Sequence, residues 1–140
     1  MTDDELMSVA REVAGRAYCP YSGFRVGAAL LSRSGQVHAG CNVENASYGV
    51  TICAERGALM SGRAAEGEEF AIARVALCLP GIPREELPAG GWPCGACRQA
   101  LAEFASDEVM VLSTGEDPGF MVTSTMGELL PMAFRGAVLK

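Results

Sequence analysis

Two short stretches limit what this chain can fold into more than any other part of it: Cys53-Ala54-Glu55 and Pro93-Cys94-Gly95-Ala96-Cys97. Cys94 and Cys97 form a C-x-x-C at the head of an apolar-periodic segment, a spacing that lets both sulfurs reach one metal ion. Cys53 stands at a second helix start, with Glu55 on the same first turn. A fold that uses these residues together must bring two helix starts face to face across an intervening helix, strand and loop. Thiolates near helix starts are stabilised by unpaired N–H groups and by the helix dipole. Three protein ligands leave one tetrahedral position on zinc for water, the pattern of a catalytic site rather than a structural one. Water of depressed pKa is a nucleophile at neutral pH, and Glu55 is spaced to move its proton. The competing reading makes these residues buried cysteines acting as small hydrophobes. Cys19, Cys41 and Cys78 lack partnered spacing and read that way.

With 140 residues the chain reads as one domain, residues 1–140, with 49% hydrophobic residues to build its core. Six cysteines would suggest a disulfide framework only in a short secreted chain. The start, Met1-Thr2-Asp3-Asp4-Glu5, lacks the basic-then-apolar order of a signal peptide, and no apolar run is long enough to span a bilayer. The expectation is a soluble, cytoplasmic protein with reduced thiols and no membrane partner. A net charge of −6, with eleven scattered basic residues, argues against a nucleic-acid polymer and for a small ligand of little charge.

Thr2 and Glu5 form a capping box, and Leu6, Val9, Ala10, Val13 and Ala17 follow at helical spacing. Pro20 predicts an end near Tyr18. Phe24, Val26, Ala28 and Leu30 alternate as a strand with one buried face; Arg33-Ser34-Gly35 reads as a hairpin turn and Gln36–Val43 as the returning strand. A helix is expected over 52–65, ended with help from Gly67. The apolar run Phe70–Leu79 suits a central strand covered on both faces. Pro80–Pro93 holds four of the seven prolines and three glycines and reads as loop. A helix over 94–105 follows, then strands near 108–114 and 120–123. Thr125 with Glu128 makes another capping box, opening a short helix that Pro131 limits. Helices interleaved with strands predict an α/β domain with one mixed sheet covered on both faces.

Three thiolates around Zn²⁺ leave a net negative charge. Arg56, directly after Glu55, is placed either to hydrogen-bond thiolate sulfur or to lie on a solvated helix face, and the sequence does not choose. His38, in a strand pattern, reads as an ordinary exposed strand residue, with a fourth zinc ligand as the alternative. Alternation sets Asn42 and Glu44 on one face, about 6.6 Å apart at 3.3 Å per residue. That amide and carboxylate either share sugar hydroxyls or serve turn chemistry.

The motifs Pro20-Tyr21-Ser22-Gly23-Phe24-Arg25-Val26-Gly27-Ala28-Ala29-Leu30, Asn42-Val43-Glu44-Asn45-Ala46-Ser47-Tyr48-Gly49, Cys53-Ala54-Glu55-Arg56 and Pro93-Cys94-Gly95-Ala96-Cys97-Arg98-Gln99 resemble the small cytidine deaminases. Glu128-Leu129-Leu130-Pro131 with Ala133-Phe134 matches as well. The three cysteine ligands with a non-ligand Glu are those of the known zinc deaminases. The resemblance implies a three-layer α/β/α sandwich with a mixed five-stranded sheet and a homotetramer with one Zn²⁺ per chain. It also implies hydrolysis of cytidine and deoxycytidine to uridine and deoxyuridine plus ammonia, a reaction of pyrimidine salvage. By position it makes Cys53, Cys94 and Cys97 the zinc ligands, Glu55 the proton shuttle and Arg56 a thiolate partner. Asn42 and Glu44 would hold the ribose, Phe24 would lie against the pyrimidine ring, and Ala54 would also bind substrate. Tyr48 and Phe134 would reach sites across subunit boundaries. The Pro80–Pro93 loop departs from the pattern: it is longer than in many members, and Trp92 stands directly before Pro93-Cys94, to cover the site or a subunit contact. Two other readings stay open, a deaminase of another amino-pyrimidine such as a nucleoside antibiotic or free cytosine, and a non-catalytic zinc-stabilised binding module.

Overall fold

In the computed structural model, which describes residues 1–139, the Thr2 hydroxyl accepts from the Glu5 N–H and the Glu5 carboxylate accepts from the Thr2 N–H. That reciprocal cap opens α1 (Asp3–Ala14). The helix stops earlier than Pro20 alone suggests, because the backbone of Tyr18 is taken up elsewhere. Its N–H donates to the Asn42 carbonyl and its carbonyl accepts from the Glu44 N–H. Strands β1 (Gly27–Ser32) and β2 (Val37–Cys41) form the expected hairpin, with Gly35 at φ 91°, a left-handed conformation suited to glycine. Helix α2 (Ala54–Glu66) leads to β3 (Ile72–Cys78), a one-turn α3 (Leu87–Gly90), α4 (Gly95–Ala102), β4 (Met110–Thr114), β5 (Met121–Thr125) and a short α5 (Met126–Leu129). The second capping box is half made. The Thr125 hydroxyl accepts from the Glu128 N–H but donates to the Glu128 carboxylate, which therefore does not reach back to the backbone.

The five strands run in the order β2-β1-β3-β4-β5. Only β3 and β4 are parallel, joined by the crossover that carries α3 and α4; the other pairings are antiparallel. Alternation along the strands sends Ala28, Leu30, Val75, Leu77 and Val111 to one core with Ala58, Leu59 and Leu101 of α2 and α4. Ala29, Ala76, Cys78 and Leu112 meet Leu6, Met7 and Ala10 of α1 on the other face. The arrangement is a three-layer α/β/α sandwich, as expected. Consequently β1 is buried on both faces, where its alternation suggested one; small alanines had masked the second apolar face.

Two glycines govern how closely the layers approach. A Cβ on Gly27 would stand 2.0 Å from the Ala10 carbonyl oxygen. On Gly40 it would stand 2.4 Å from the Ala58 nitrogen and 2.5 Å from the Ala54 oxygen. Gly40 therefore lets the first turns of α2 lie against β2 and sets the height of Cys53 and Glu55 above the sheet. Farther along the same contact, His38 is 7% exposed. The expectation of an exposed strand residue fails because α2 covers β2, and the imidazole bonds Glu66 at 2.5 Å across that contact.

Candidate active site

Cys53 and Cys94 are the N-cap residues of α2 and α4, each extended in backbone and lacking a side-chain cap. Their carbonyls begin the helices, accepting from the Gly57 and Arg98 N–H groups at 3.0 and 2.9 Å. Cys97 lies one turn into α4, so its sulfur shares the N–H-rich end with Cys94. Arg98 fixes this start: its guanidinium donates to the Pro93 carbonyl at 2.7 Å and to the Leu129 carbonyl at 2.8 Å. The three sulfurs lie within 4.8 Å of one another, and among the described residues no further His, Cys, Asp or Glu joins them. Zinc–sulfur bonds of about 2.3 Å in a tetrahedron require sulfurs about 3.8 Å apart. The donor set and its spacing fit one zinc ion with a position left open.

Arg56, undecided from sequence, turns toward this cluster. Its Nη2 donates to the Cys53 sulfur at 3.4 Å, while its buried Nε has no protein partner. The thiols hold the guanidinium pKa above its ordinary value. Burial opposes ionisation of Cys94, yet the N–H groups of Cys97 and Ala96 and the Cys97 thiol outweigh it, so its pKa lies low. Cys97 is pushed up, first by burial and then by the Glu55 and Cys53 charges. Such crowding of negative charge is what a divalent cation relieves. Glu55 is only 4% exposed. Burial pushes its carboxyl above the usual range against its own N–H, the Cys97 thiol and Arg56.

Phe24, Val26, Asn42, Cys53, Glu55 and Cys94 all line one cavity of about 250 Å³, and Ala54 lines it too. Of the two alternatives left open for the Asn42 amide, local turn chemistry is not the one found. Its Oδ1 accepts from the Val26 N–H and its Nδ2 donates to the Phe24 carbonyl, both at 2.8 Å. One N–H and one lone pair remain to face the cavity. Glu44 and Tyr48 line a neighbouring concavity with Tyr21, Ser22 and Thr51. Thr51 borders both spaces, a residue the sequence reading missed because a lone threonine between motifs carries no signal. Glu44 accepts from the Tyr21 and Ser22 N–H groups and from the Ser22 hydroxyl. These bonds, the hydroxyl's first, hold its pKa low. Of roughly four lone-pair sites on a carboxylate, about one is left for a ligand. Phe134 lines neither space; its side chain is 60% exposed and its carbonyl accepts from Gln99.

Residues 1–113 match the family model for the cytidine and deoxycytidylate deaminase zinc-binding region. The chain is 42% identical to a cytidine deaminase of Halalkalibacterium halodurans, over 94% of each chain. It is 37% identical to one of Sporosarcina psychrophila, over 96% of this chain and 92% of that one. The crystal structure of cytidine deaminase from Burkholderia pseudomallei superimposes with a TM-score of 0.82 at 42% identity, covering 96% of this chain and 100% of the other.

Proposed function

The chain belongs to the cytidine and deoxycytidylate deaminase family, and from that premise we propose that it hydrolyses cytidine and deoxycytidine to uridine and deoxyuridine, releasing ammonia. The observation that carries this reading is one cavity lined by two of three clustered thiols, by the buried Glu55 carboxylate and by Asn42. Cys53, Cys94 and Cys97 hold one zinc ion per chain, with Arg56 offsetting thiolate charge. Bound there, zinc supplies the Lewis acidity that makes water nucleophilic at neutral pH.

Glu55 accepts the proton that water loses as its oxygen adds to carbon 4, and delivers it to ring nitrogen 3. In the second half it takes the hydroxyl proton of the tetrahedral carbon and passes it to the amine. The carbon–nitrogen bond then breaks, leaving a carbonyl and ammonia. Burial serves this role, because a carboxyl whose pKa is raised toward neutrality takes up a proton readily and can still pass it to a more basic nitrogen. Complementarity to the tetrahedral carbon rather than to the planar base supplies the rate. Asn42, with one donor and one acceptor to spare, and Glu44, with one acceptor site, suit ribose hydroxyls; Phe24 and Ala54 suit the ring. Ammonia release from cytidine and from cytosine, with zinc content measured alongside, tests the reading. A zinc-loaded protein that leaves cytidine unchanged would overturn it, and equal rates on free cytosine would remove the ribose from it.

The 140 residues act as one domain that assembles into a homotetramer. Support comes from Tyr48, 74% exposed, and Phe134, both large aromatic side chains on an open surface. Each would cover a neighbouring chain's site. Mixed tetramers of Glu55→Ala and Phe134→Ala chains test this, since an intact Phe134 from the first can serve an intact Glu55 of the second. Among the described residues no helix is long and apolar enough to cross a membrane. Zinc ligation by Cys53, Cys94 and Cys97, with Cys19, Cys41 and Cys78 standing outside any disulfide, supports a reducing cytoplasm.

A further inference from the structure

The geometry points to Trp92 as a specificity-determining residue: its indole is a fixed wall that excludes pyrimidine nucleosides bearing extra bulk at carbon 5 or on the amino nitrogen. This inference rests on the cytidine-hydrolysing reading. Trp92 lines the cavity with Leu77, Leu79 and Gly90, its apolar side. Only Pro93, itself fully buried, separates it from Cys94. The indole therefore sits by the reacting carbon, away from the Glu44–Tyr48 concavity that suits the sugar. Of the ring positions beside carbon 4, nitrogen 3 is committed to Glu55. Carbon 5 and the amino nitrogen are left for this wall.

The indole works by shape. Its only polar atom, Nε1, donates to the Pro88 carbonyl at 2.8 Å, so it has no hydrogen bond to offer a substrate. Nor is the Pro80–Pro93 segment built as a movable lid. Leu87 is fully buried, and the Ser113 hydroxyl, also buried, donates to the Gly91 carbonyl. The Glu116 N–H donates to the Ile82 carbonyl at 2.8 Å, and a Cβ on Gly115 would stand 2.3 Å from that same oxygen. Arg84 lies 4.3 Å from the centroid of the Phe120 ring and pairs with Asp117. A wall held at so many points cannot retreat from an added methyl group as a mobile side chain would.

Trp92 is the single tryptophan of the chain, so it reports on its own site. Uridine, which is not turned over, should produce a saturable change in tryptophan emission from the zinc-loaded tetramer. Competitive inhibition by uridine without any emission change would overturn the placement. For specificity, kcat/KM is compared among cytidine, 5-methylcytidine and N4-methylcytidine. The parent should favour cytidine over at least one methylated substrate by about 10-fold or more, the range for a methyl group in a tight pocket. Trp92→Ala should lower that ratio about fivefold, and Trp92→Phe, the safer variant for folding, should lower it less. A parent that turns over both methylated nucleosides as well as cytidine overturns the inference with no variant needed. So does an unchanged ratio in a folded, zinc-bearing variant. Failure on cytidine itself would instead remove the reading beneath it.

Discussion

The two ends of α2 each carry a shielded carboxylate, and the fold treats them in opposite ways. Glu55, at the N-terminus, is 4% exposed and its pKa is raised, chiefly by burial. Glu66, at the C-terminus, has a side chain 3% exposed, and its pKa is lowered, chiefly by its bond to His38. The helix dipole alone predicts the reverse, since it favours negative charge at the N-terminus and penalises it at the C-terminus. Partners decide. His38 and Ser32 hydrogen-bond Glu66 against the burial that acts on it, and the Ser34 hydroxyl donates to Ser32 beside them. Glu55 lies among thiols that compete for the same positive charge, beside an arginine whose Nε has no protein partner. A carboxylate tied to a histidine and a serine holds structure together, and one that faces a cavity beside thiols is available for proton transfer.

Exchanging each carboxylate for its amide is the sharpest way to break this comparison. Glu55→Gln should keep zinc and fold but lose about 10²–10⁴-fold or more in turnover, since one group serves several proton transfers. With zinc stripped from both proteins, its melting temperature should equal or exceed the parent's, because a raised folded pKa means that the ionised form costs stability at neutral pH. Retention of half the parental rate would remove Glu55 from the mechanism. Cys97→Ala attacks the same end through the metal. Zinc and activity should be lost together, with a lower melting temperature, and full zinc occupancy would refute the ligand set.

Arg56→Gln should have a middling effect, about 10–100-fold in zinc affinity or turnover, the usual cost of losing a partner of the metal ligands. Competition with a chelator measures it, and parental zinc affinity would leave thiolate charge to the helix N–H groups alone. The smallest effect on catalysis belongs to the far end. Glu66→Gln should keep kcat on cytidine within about twofold while lowering the melting temperature by several degrees. The folded pKa of Glu66 lies below 4.5, so its stabilisation is complete above pH 4.5 and is lost as pH falls through the folded value. Thermal melts of Glu66→Gln should accordingly converge with the parent's in acid. A constant gap across that range would mean that His38 contributes packing and not a charge-assisted bond.

Spacing in the chain was enough to single out the residues that the fold gathers. Cys94, Cys97 and Cys53 stand out because helix starts at those positions can bring three sulfurs together, and Glu55, on the first turn after Cys53, lines the cavity beside them. The strands and main helices were legible for the same reason, since apolar period reports which faces are buried. Contacts between segments distant in the chain decided the rest. Arg56 meets the Cys53 sulfur from three residues along α2, a spacing that helix geometry allows, and only its influence from Cys97 depends on how α2 packs against α4. His38 looked exposed because its partner lies on another element, twenty-eight residues away. Asn42 stayed undecided between sugar contact and turn chemistry because its two bonds go to Phe24 and Val26, more than a dozen residues back. Trp92 became a cavity wall only once Leu87 and Ser113 had anchored its loop to the sheet. Sequence displays the groups that chemistry requires, whereas burial and pairing, which set their charge and freedom, arise only when distant segments meet.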